Sequence, residues 1–252
     1  MNFTKRRELA SRLLEGYVHG PAAATAATTR ALAKVATAQT VVLVEGISDQ
    51  IAVETLAGRR DRDLEVEGVV VLPIGGAHAI ARFLTLLGPA GAGLRLTGLC
   101  DVGEENVFRR GLISAGLGSS GLGSPGPGSS GLGSSGLGSP EKREDMERLG
   151  FYVCVEDLED ELIRAIGLSQ VEVLFDSQGD LGSFRSLQRQ PQWRGQPVRA
   201  QLRRFLAAGS RRKLRYARLL AGAVAPDRLP RPLDAVLTVA LGNGQLGEGQ
   251  RC

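Results

Sequence analysis

The stretch that decides the fold is TVVLVEGISDQIAVETLAG, residues 40–58. Its first five residues are β-branched or apolar and end at a Glu-Gly pair, which is typical of a buried strand. The residues that follow have helical periodicity, and Gly58 is the expected helix stop. This stretch therefore predicts one strand followed by one helix.

Three further strand–helix units follow the first. The predicted strands cover residues 66–76, 94–101 and 150–158, and a segment with helical spacing follows each of them. Buried strands that alternate with helices imply βαβ units and a parallel sheet covered on both faces. We therefore predict an α/β fold, with a four-stranded parallel sheet flanked by helices, over residues 39–167.

The segments around this unit differ from it in composition. Residues 1–38 contain two predicted helices, at 5–17 and 22–38. Five units of the form G-[LP]-G-S-[SP] fill residues 116–140, and we expect them to form a disordered insertion because they hold too little apolar surface to offset the entropy of ordering. Residues 168–241 predict a basic α-helical subdomain, and residues 242–252 a flexible tail.

Composition limits the classes of protein that this chain can belong to. Of its 252 residues 42% are hydrophobic, and no apolar run is long enough for a membrane span. Glu8 and Glu15 interrupt the place where a signal peptide needs an apolar core, so we expect a cytoplasmic protein. Three cysteines without framework spacing and two histidines argue against a disulfide scaffold and a zinc site.

Charge is distributed unevenly along the chain. Residues 182–232 contain thirteen Arg and Lys residues and one acid, which gives this segment a net charge of +12. Because the whole chain has a net charge of +4, the remaining residues together carry −8. A basic helical segment of this kind is typical either of a plain solvated face or of a surface that contacts the DNA backbone without reading sequence. The candidate nucleic-acid-binding residues are Arg203, Arg204, Arg211, Arg212, Lys213 and Arg215.

Acidic residues follow three of the four predicted strands. Glu45 ends the first, Asp101 the third, and the run 156–161 the fourth, while Asp49 lies one helical turn beyond Glu45. Ligands of open parallel sheets bind beyond the carboxyl ends of the strands, so these side chains are expected to converge. Converging carboxylates need protons or a divalent cation, and oxygen ligands favour Mg²⁺ or Mn²⁺. The expected turn glycines are Gly46, Gly75 and Gly76; Asp160 and Glu161 are expected to face solvent.

Four motifs together resemble the TOPRIM domain, in the form found in OLD-family nucleases. VLVEGISD at 42–49 resembles the E-G-x-x-D opening, and GLCDVGEEN at 98–106 stands at the D-x-D motif. VLPIGGAHAIARFLTLL at 71–87 is similar to the glycine turn and helix of the OLD group. VEDLEDELIRAIG at 155–167 resembles its later acidic stretch. The resemblance covers residues 40–167 and implies a magnesium-dependent site that cleaves phosphodiesters.

The resemblance implies a role for each matching residue. Glu45 would act as acid/base or metal ligand, Asp49 and Asp101 as metal ligands, and Glu159 as a ligand of a second metal. The second Asp of D-x-D is Gly103 here, and Glu104 is expected to replace it because the glycine lets the chain turn its neighbour toward the ion. Glu105 would point about 100° away.

Three functions remain open on the sequence alone. The first is metal-dependent nicking of DNA by an OLD-like TOPRIM nuclease domain. The second is a non-catalytic TOPRIM module that binds nucleic acid or a separately encoded ATPase subunit, which Gly103 and the lack of a G-x-x-x-x-G-K-[ST] motif in this chain favour. The third, primase-like nucleotidyl transfer, is weaker because no zinc-ribbon cysteines are present.

Overall fold

A four-stranded parallel sheet forms the centre of the molecule. The computed structural model describes residues 22–117 and 142–242. The strands lie in the order β2-β1-β3-β4, which confirms the predicted α/β class. Their bounds are β1 Thr40–Val44, β2 Val69–Pro73, β3 Arg95–Cys100 and β4 Phe151–Val153.

Helices cover both faces of the sheet and fill the C-terminal part of the chain. The α-helices are α1 Ala22–Lys34, α2 Ile47–Arg59, α3 Ile80–Leu87, α4 Glu105–Ser114, α5 Arg143–Arg148, α6 Leu158–Ile166, α7 Leu168–Ser177, α8 Leu181–Arg189, α9 Val198–Ala207, α10 Ser210–Ala223 and α11 Arg231–Ala240. Short 3₁₀ turns occupy Ala77–Ala79, Val102–Glu104 and Pro226–Arg228. None of the helices in these described ranges is long and apolar enough to cross a membrane.

The side chains of each strand alternate between two cores. In β1, Val41 and Leu43 pack with α1, α3 and α4 on one face, whereas Val42 and Val44 pack with α2 and α6 on the other. All five residues of β1 are buried because helices cover both faces. This explains why the strand is an unbroken apolar run rather than an alternating one.

The C-terminal helices share the second of these cores. Phe175, Phe184, Phe205 and Tyr216 form an aromatic cluster with ring centroids 4.9–5.5 Å apart, and they belong to the same buried set as Val42 and Val44. Helix α10 packs on α2, and α11 packs on β3 and β4. The C-terminal helices therefore pack against the α/β unit and share its core.

The structure differs from the sequence-based expectation in several elements. The sequence predicts the fourth strand over 150–158, but the strand ends at Val153, and Asp157 already acts as the N-cap of α6. Helices α5 and α7 are additions that the sequence pattern does not predict. The predicted helix at 5–17, most of the repeat at 116–140 and the tail beyond residue 242 lie outside the described residues.

Candidate active site

Glu45 and Asp101 meet at the carboxyl edge of the sheet. They directly follow β1 and β3, which are hydrogen-bonded neighbours. The Asp101 N–H donates to Glu45 Oε1 at 3.0 Å, so the Glu45 side chain reaches across to the next strand end. The pairing of two strands thus brings together two residues 56 positions apart.

The glycine turn after β2 closes over the same edge. The N–H groups of Gly75 and Gly76 both donate to the Glu45 carbonyl, at 3.1 and 3.0 Å. Both glycines have left-handed backbones, with φ of 78° and 110°, which favour residues without a Cβ. Gly46, by contrast, is extended with φ of −145° and acts as the N-cap of α2.

Asp49 lies in the first turn of α2 and caps its own helix. Its Oδ2 accepts the Gly46 N–H at 2.8 Å. This bond holds the carboxylate at the start of the helix, where the macrodipole favours negative charge. The spacing in E-G-x-x-D therefore has a local physical reason, since residue 49 is the third residue of the helix that follows Gly46.

Lys213 lies beside a carboxylate of the site. It belongs to the first turns of α10, and its Nζ is 3.3 Å from Glu159 Oε1 at the start of α6. Glu159 is 9% exposed, and its Oε1 has no hydrogen bond of good geometry. The sequence gives no signal for this contact, because only the packing of α10 beside α6 creates it.

The carboxyl groups of this site interact strongly with one another. Burial, with the charges of Glu45 and Asp49 adding to it, raises the pKa of Asp101 to about 8. Burial and the charge of Glu159 raise the pKa of Asp49 to about 7, against the opposing effects of the Gly46 N–H and Lys213. Burial also raises the pKa of Glu45.

The same carboxylates stabilise the positive charge of Lys213. Burial lowers its pKa, but Glu159, Asp49 and Asp101 together outweigh that effect and leave the pKa of Lys213 above its ordinary value. Four carboxylates thus face one ammonium. Three negative charges remain to be offset by protons or by a cation.

The broken D-x-D motif forms a 3₁₀ turn over Val102–Glu104. Glu104 is half-buried, and its charge contributes to raising the pKa of Glu45. Glu105 is ion-paired with Arg143, whose Nη2 lies 2.5 Å from Glu105 Oε2. Gly103 has no atoms within 4 Å of the place where a Cβ would stand. Glu104 therefore acts electrostatically on Glu45, while Glu105 is paired with Arg143.

The acids that follow Glu159 are buried, which corrects the expectation that they face solvent. Asp160 is 1% and Glu161 3% exposed. Arg164 pairs with both carboxylates, and Arg199 lies 3.5 Å from Asp160. Burial of these two acids is possible because arginines of α6 and α9 neutralise charges that would otherwise be too costly to bury. Helical periodicity in the sequence does not show these ion pairs.

Most of the predicted nucleic-acid-binding arginines have carboxylate partners. Arg203 pairs with Glu156 and Asp157, and Arg212 and Arg215 both pair with Asp180. Arg212 also lies over the Phe205 ring, 4.1 Å from its centroid. Arg204 and Arg211 are exposed. The basic segment is thus only partly free to meet an external anion.

The donor set suits a hard divalent ion. Within residues 22–117 and 142–242 no three His, Cys, Asp or Glu side chains converge closely enough to hold an ion as they stand. The acidic groups at the site are nevertheless all carboxylates, and the Glu159 oxygen that Lys213 approaches makes no hydrogen bond of good geometry. Their chemistry fits Mg²⁺ or Mn²⁺ rather than a softer metal.

A family model covers the part of the chain that carries Glu45, Asp49 and Asp101. Residues 37–101 match the model described as "Overcoming lysogenization defect protein-like, TOPRIM domain". The stretch from β1 to the end of β3 is thus similar to an OLD-like TOPRIM domain. No curated protein sequence matches the chain.

Solved structures extend the likeness beyond residues 37–101. A C-terminal region of the Xanthomonas campestris pv. campestris OLD protein, phased with platinum, is 25% identical with a TM-score of 0.59, covering 83% of this chain and 95% of that one. A mercury-phased structure of the same region gives 25% and 0.57, covering 82% and 96%. The C-terminal region of the Burkholderia pseudomallei OLD protein shares the fold at 19% identity, with a TM-score of 0.56 and coverages of 82% and 98%.

Proposed function

We propose that this OLD-like TOPRIM domain is part of a divalent-metal-dependent nuclease that nicks DNA. One observation carries the proposal: the carboxylates of Glu45, Asp49, Asp101 and Glu159 interact electrostatically at the carboxyl edge of a parallel sheet, where Lys213 pairs with Glu159. An excess of negative charge at such an edge is suited to binding a metal that in turn binds a phosphate.

The residues that would hold Mg²⁺ or Mn²⁺ are Asp49, Asp101 and Glu159, with Glu104 in place of the missing carboxylate at position 103. Such an ion, when bound, supplies Lewis-acid polarisation of a phosphodiester and a water of lowered pKa. The raised pKa values of Asp49 and Asp101 mean that metal binding would release protons at neutral pH.

Glu45 and Lys213 have distinct parts in the proposed reaction. Because Glu45 Oε1 accepts the Asp101 N–H, Oε2 is the oxygen that can take a proton from an attacking water or give one to a leaving oxygen. Lys213 has only donors and a fixed positive charge, so it would bind a non-bridging phosphate oxygen and offset the charge that develops there.

DNA is the proposed substrate, bound through its backbone. Arg204 and Arg211 are exposed on α9 and α10, the two helices that bring Arg203 and Lys213 to the carboxyl edge. Guanidinium groups at these positions can contact phosphates on either side of the scissile bond without reading bases. These two exposed arginines belong to the six basic residues that the sequence predicts to bind nucleic acid.

A second candidate is a non-catalytic module that binds nucleic acid or a separate ATPase subunit. Two observations favour it: position 103 is a glycine and lacks the carboxylate of the D-x-D motif, and Lys213 already forms an ion pair with Glu159. In such a module the Lys213–Glu159 ion pair would persist, and the acidic edge of the sheet would be neutralised without a metal.

Nicking of supercoiled plasmid by the purified chain distinguishes the two. Wild-type protein with Mg²⁺ or Mn²⁺ is expected to convert supercoiled plasmid to open circles, and EDTA to stop it. Asp101→Asn should abolish the reaction, whereas Asp176→Asn, an exposed carboxylate on α7, should leave it intact. A wild type as inactive as Asp101→Asn would favour the binding module.

A further inference from the structure

Arg203 connects helix α9 to the loop between β4 and α6. Its Nε donates to Asp157 Oδ2 at 2.7 Å, and its Nη1 lies 3.3 Å from Glu156 Oε2. The Arg203 side chain is 33% exposed and that of Asp157 is 20% exposed, so this contact is partly shielded from water. A planar guanidinium that binds two consecutive carboxylates restricts the position of the loop more than a lysine would.

The two oxygens of the Asp157 carboxylate serve different partners. While Oδ2 binds Arg203, Oδ1 accepts the Asp160 N–H at 2.8 Å and caps α6. Asp157 is the N-cap residue of this helix, and Glu159 lies two residues further on in its first turn. The orientation of that turn therefore depends on a carboxylate that Arg203 holds from the outside.

The same loop is also fastened to the strand end that carries Asp101. The Val102 N–H donates to the Glu156 carbonyl at 3.2 Å. Residues 156 and 157 thus contact α9 on one side and the Asp101 turn on the other. A shift of this loop would change the separation between Glu159 and Asp101.

We propose that Arg203 is a positioning residue, which holds the Glu159-bearing turn in place beside Asp101 and does not bind DNA. The inference rests on the proposed function, since it concerns the same carboxylates as metal ligands. It gives α9 a specific role, because the helix then fixes one half of the candidate metal site from outside the TOPRIM domain match.

Arg204 is the matched control for Arg203. It is the next residue on the same helix, it is exposed, and the structure gives it no carboxylate partner in the described part of the chain. The two arginines have the same charge and nearly the same helical environment. They differ in exposure and in the feature under test, the contact with Asp157 and Glu156.

Mn²⁺ binding to the full chain without DNA, followed by calorimetry and by the electron paramagnetic resonance of free Mn²⁺, tests the proposal. Arg203→Gln is expected to weaken Mn²⁺ binding roughly tenfold, as is usual when a group that orients a metal ligand is lost. Arg203→Lys should recover part of the affinity. Arg204→Gln should bind Mn²⁺ like wild type.

Asp157→Asn gives an independent route to the same result if Arg203→Gln folds poorly. Asparagine keeps the Oδ1 acceptor that caps α6 but loses the charge that binds Arg203. We expect it to weaken Mn²⁺ binding as Arg203→Gln does, and the double variant to be no worse than either single one, because both remove one interaction.

DNA affinity in EDTA separates this role from phosphate binding. Arg203→Gln should bind DNA within about twofold of wild type, while Arg204→Gln should bind more weakly. Loss of DNA affinity in Arg203→Gln with unchanged Mn²⁺ binding would overturn the inference and leave the nuclease proposal standing. A wild type that binds no Mn²⁺ would overturn both.

Discussion

Lys213 Nζ lies 3.3 Å from Glu159 Oε1 and joins the basic C-terminal segment to the acidic edge of the sheet. The two residues belong to the parts of the chain that differ most in charge, and their contact is one of several between them. Arg199 and Arg203 pair with acids of the segment 156–160 in the same way. Several basic residues of the C-terminal segment thus neutralise acids at the edge of the sheet in the same molecule.

Removing the Lys213 ammonium should strengthen metal binding while it abolishes nicking. The positive charge repels a divalent ion and competes with it for Glu159, so Lys213→Met is expected to bind Mn²⁺ several-fold more tightly. Calorimetry without DNA measures the affinity, with Arg218→Met, an exposed cation of the same helix, as control. Weaker Mn²⁺ binding in Lys213→Met would contradict this.

Metal-free protein should lose stability as the pH rises. The pKa values of Asp49 and Asp101 rise from 3.8 in the unfolded chain to about 7 and about 8 in the folded protein. The folded state therefore binds protons more tightly, and the resulting stabilisation is complete below about pH 4 and lost as the pH rises through 7 to 8.

Thermal melts from about pH 5 to pH 9 in EDTA test this pH dependence. Asp101→Asn has no proton to lose, so its Tm should fall less over this range than that of wild type. Identical slopes for the two proteins would show that Asp101 is not buried among other charges as described.

Gly103→Asp should improve metal binding by restoring the second carboxylate of the motif. No atom lies within 4 Å of the place where its Cβ would stand, and Gly103 does not have a left-handed φ, so the side chain fits without strain. We expect less Mg²⁺ to be needed for half-maximal nicking. Gly103→Asn, which fits equally but carries no charge, is the control and should resemble wild type.

Glu104 should matter for metal binding and Glu105 should not. Glu104 affects the pKa of Glu45, whereas Glu105 binds Arg143. Glu104→Gln is therefore expected to raise the Mg²⁺ concentration for half-maximal nicking before it lowers the maximal rate. Glu105→Gln should change only the Tm, by loss of one partly exposed ion pair worth about 1 kcal/mol or less. Equal Mg²⁺ dependence of Glu104→Gln and wild type would exclude the substitution of Glu104 for the missing Asp.

Arg211 and Arg212 should differ although they are neighbours. Arg211→Gln, at an exposed position, is expected to lower DNA affinity and to reduce the log–log salt slope by about 0.9, the value for one phosphate contact. Arg212→Gln should lower the Tm instead, because Arg212 packs over Phe205 and donates to the carbonyls of Phe205 and Ala208. Filter binding over a range of salt and thermal melts distinguish the two effects. A salt slope that stays the same in Arg211→Gln would show that its guanidinium does not contact phosphate.

The sequence alone determined the α/β class, the four parallel strands and the meeting of Glu45 with the turn after β3. These follow from local patterns: a short run rich in β-branched residues and closed by a glycine, such as TVVLVEG, is typical of a strand covered on both faces, and parallel strands end at one edge. The turn at Gly75 and Gly76 could also be predicted, because a turn with positive φ favours glycine. Such features depend on residues close together in the chain.

Only the tertiary structure decided which charges belong to the site and which support it. Lys213 was indistinguishable from Arg211 and Arg212 in sequence, yet in the described structure it pairs with Glu159 of the site, whereas Arg212 pairs with Asp180. Arg203 differs from Arg204 only because α9 packs beside α6. Ion pairs between distant segments depend on how helices pack and on the orientation of one helix face, and neither hydrophobic period nor charge count specifies that orientation.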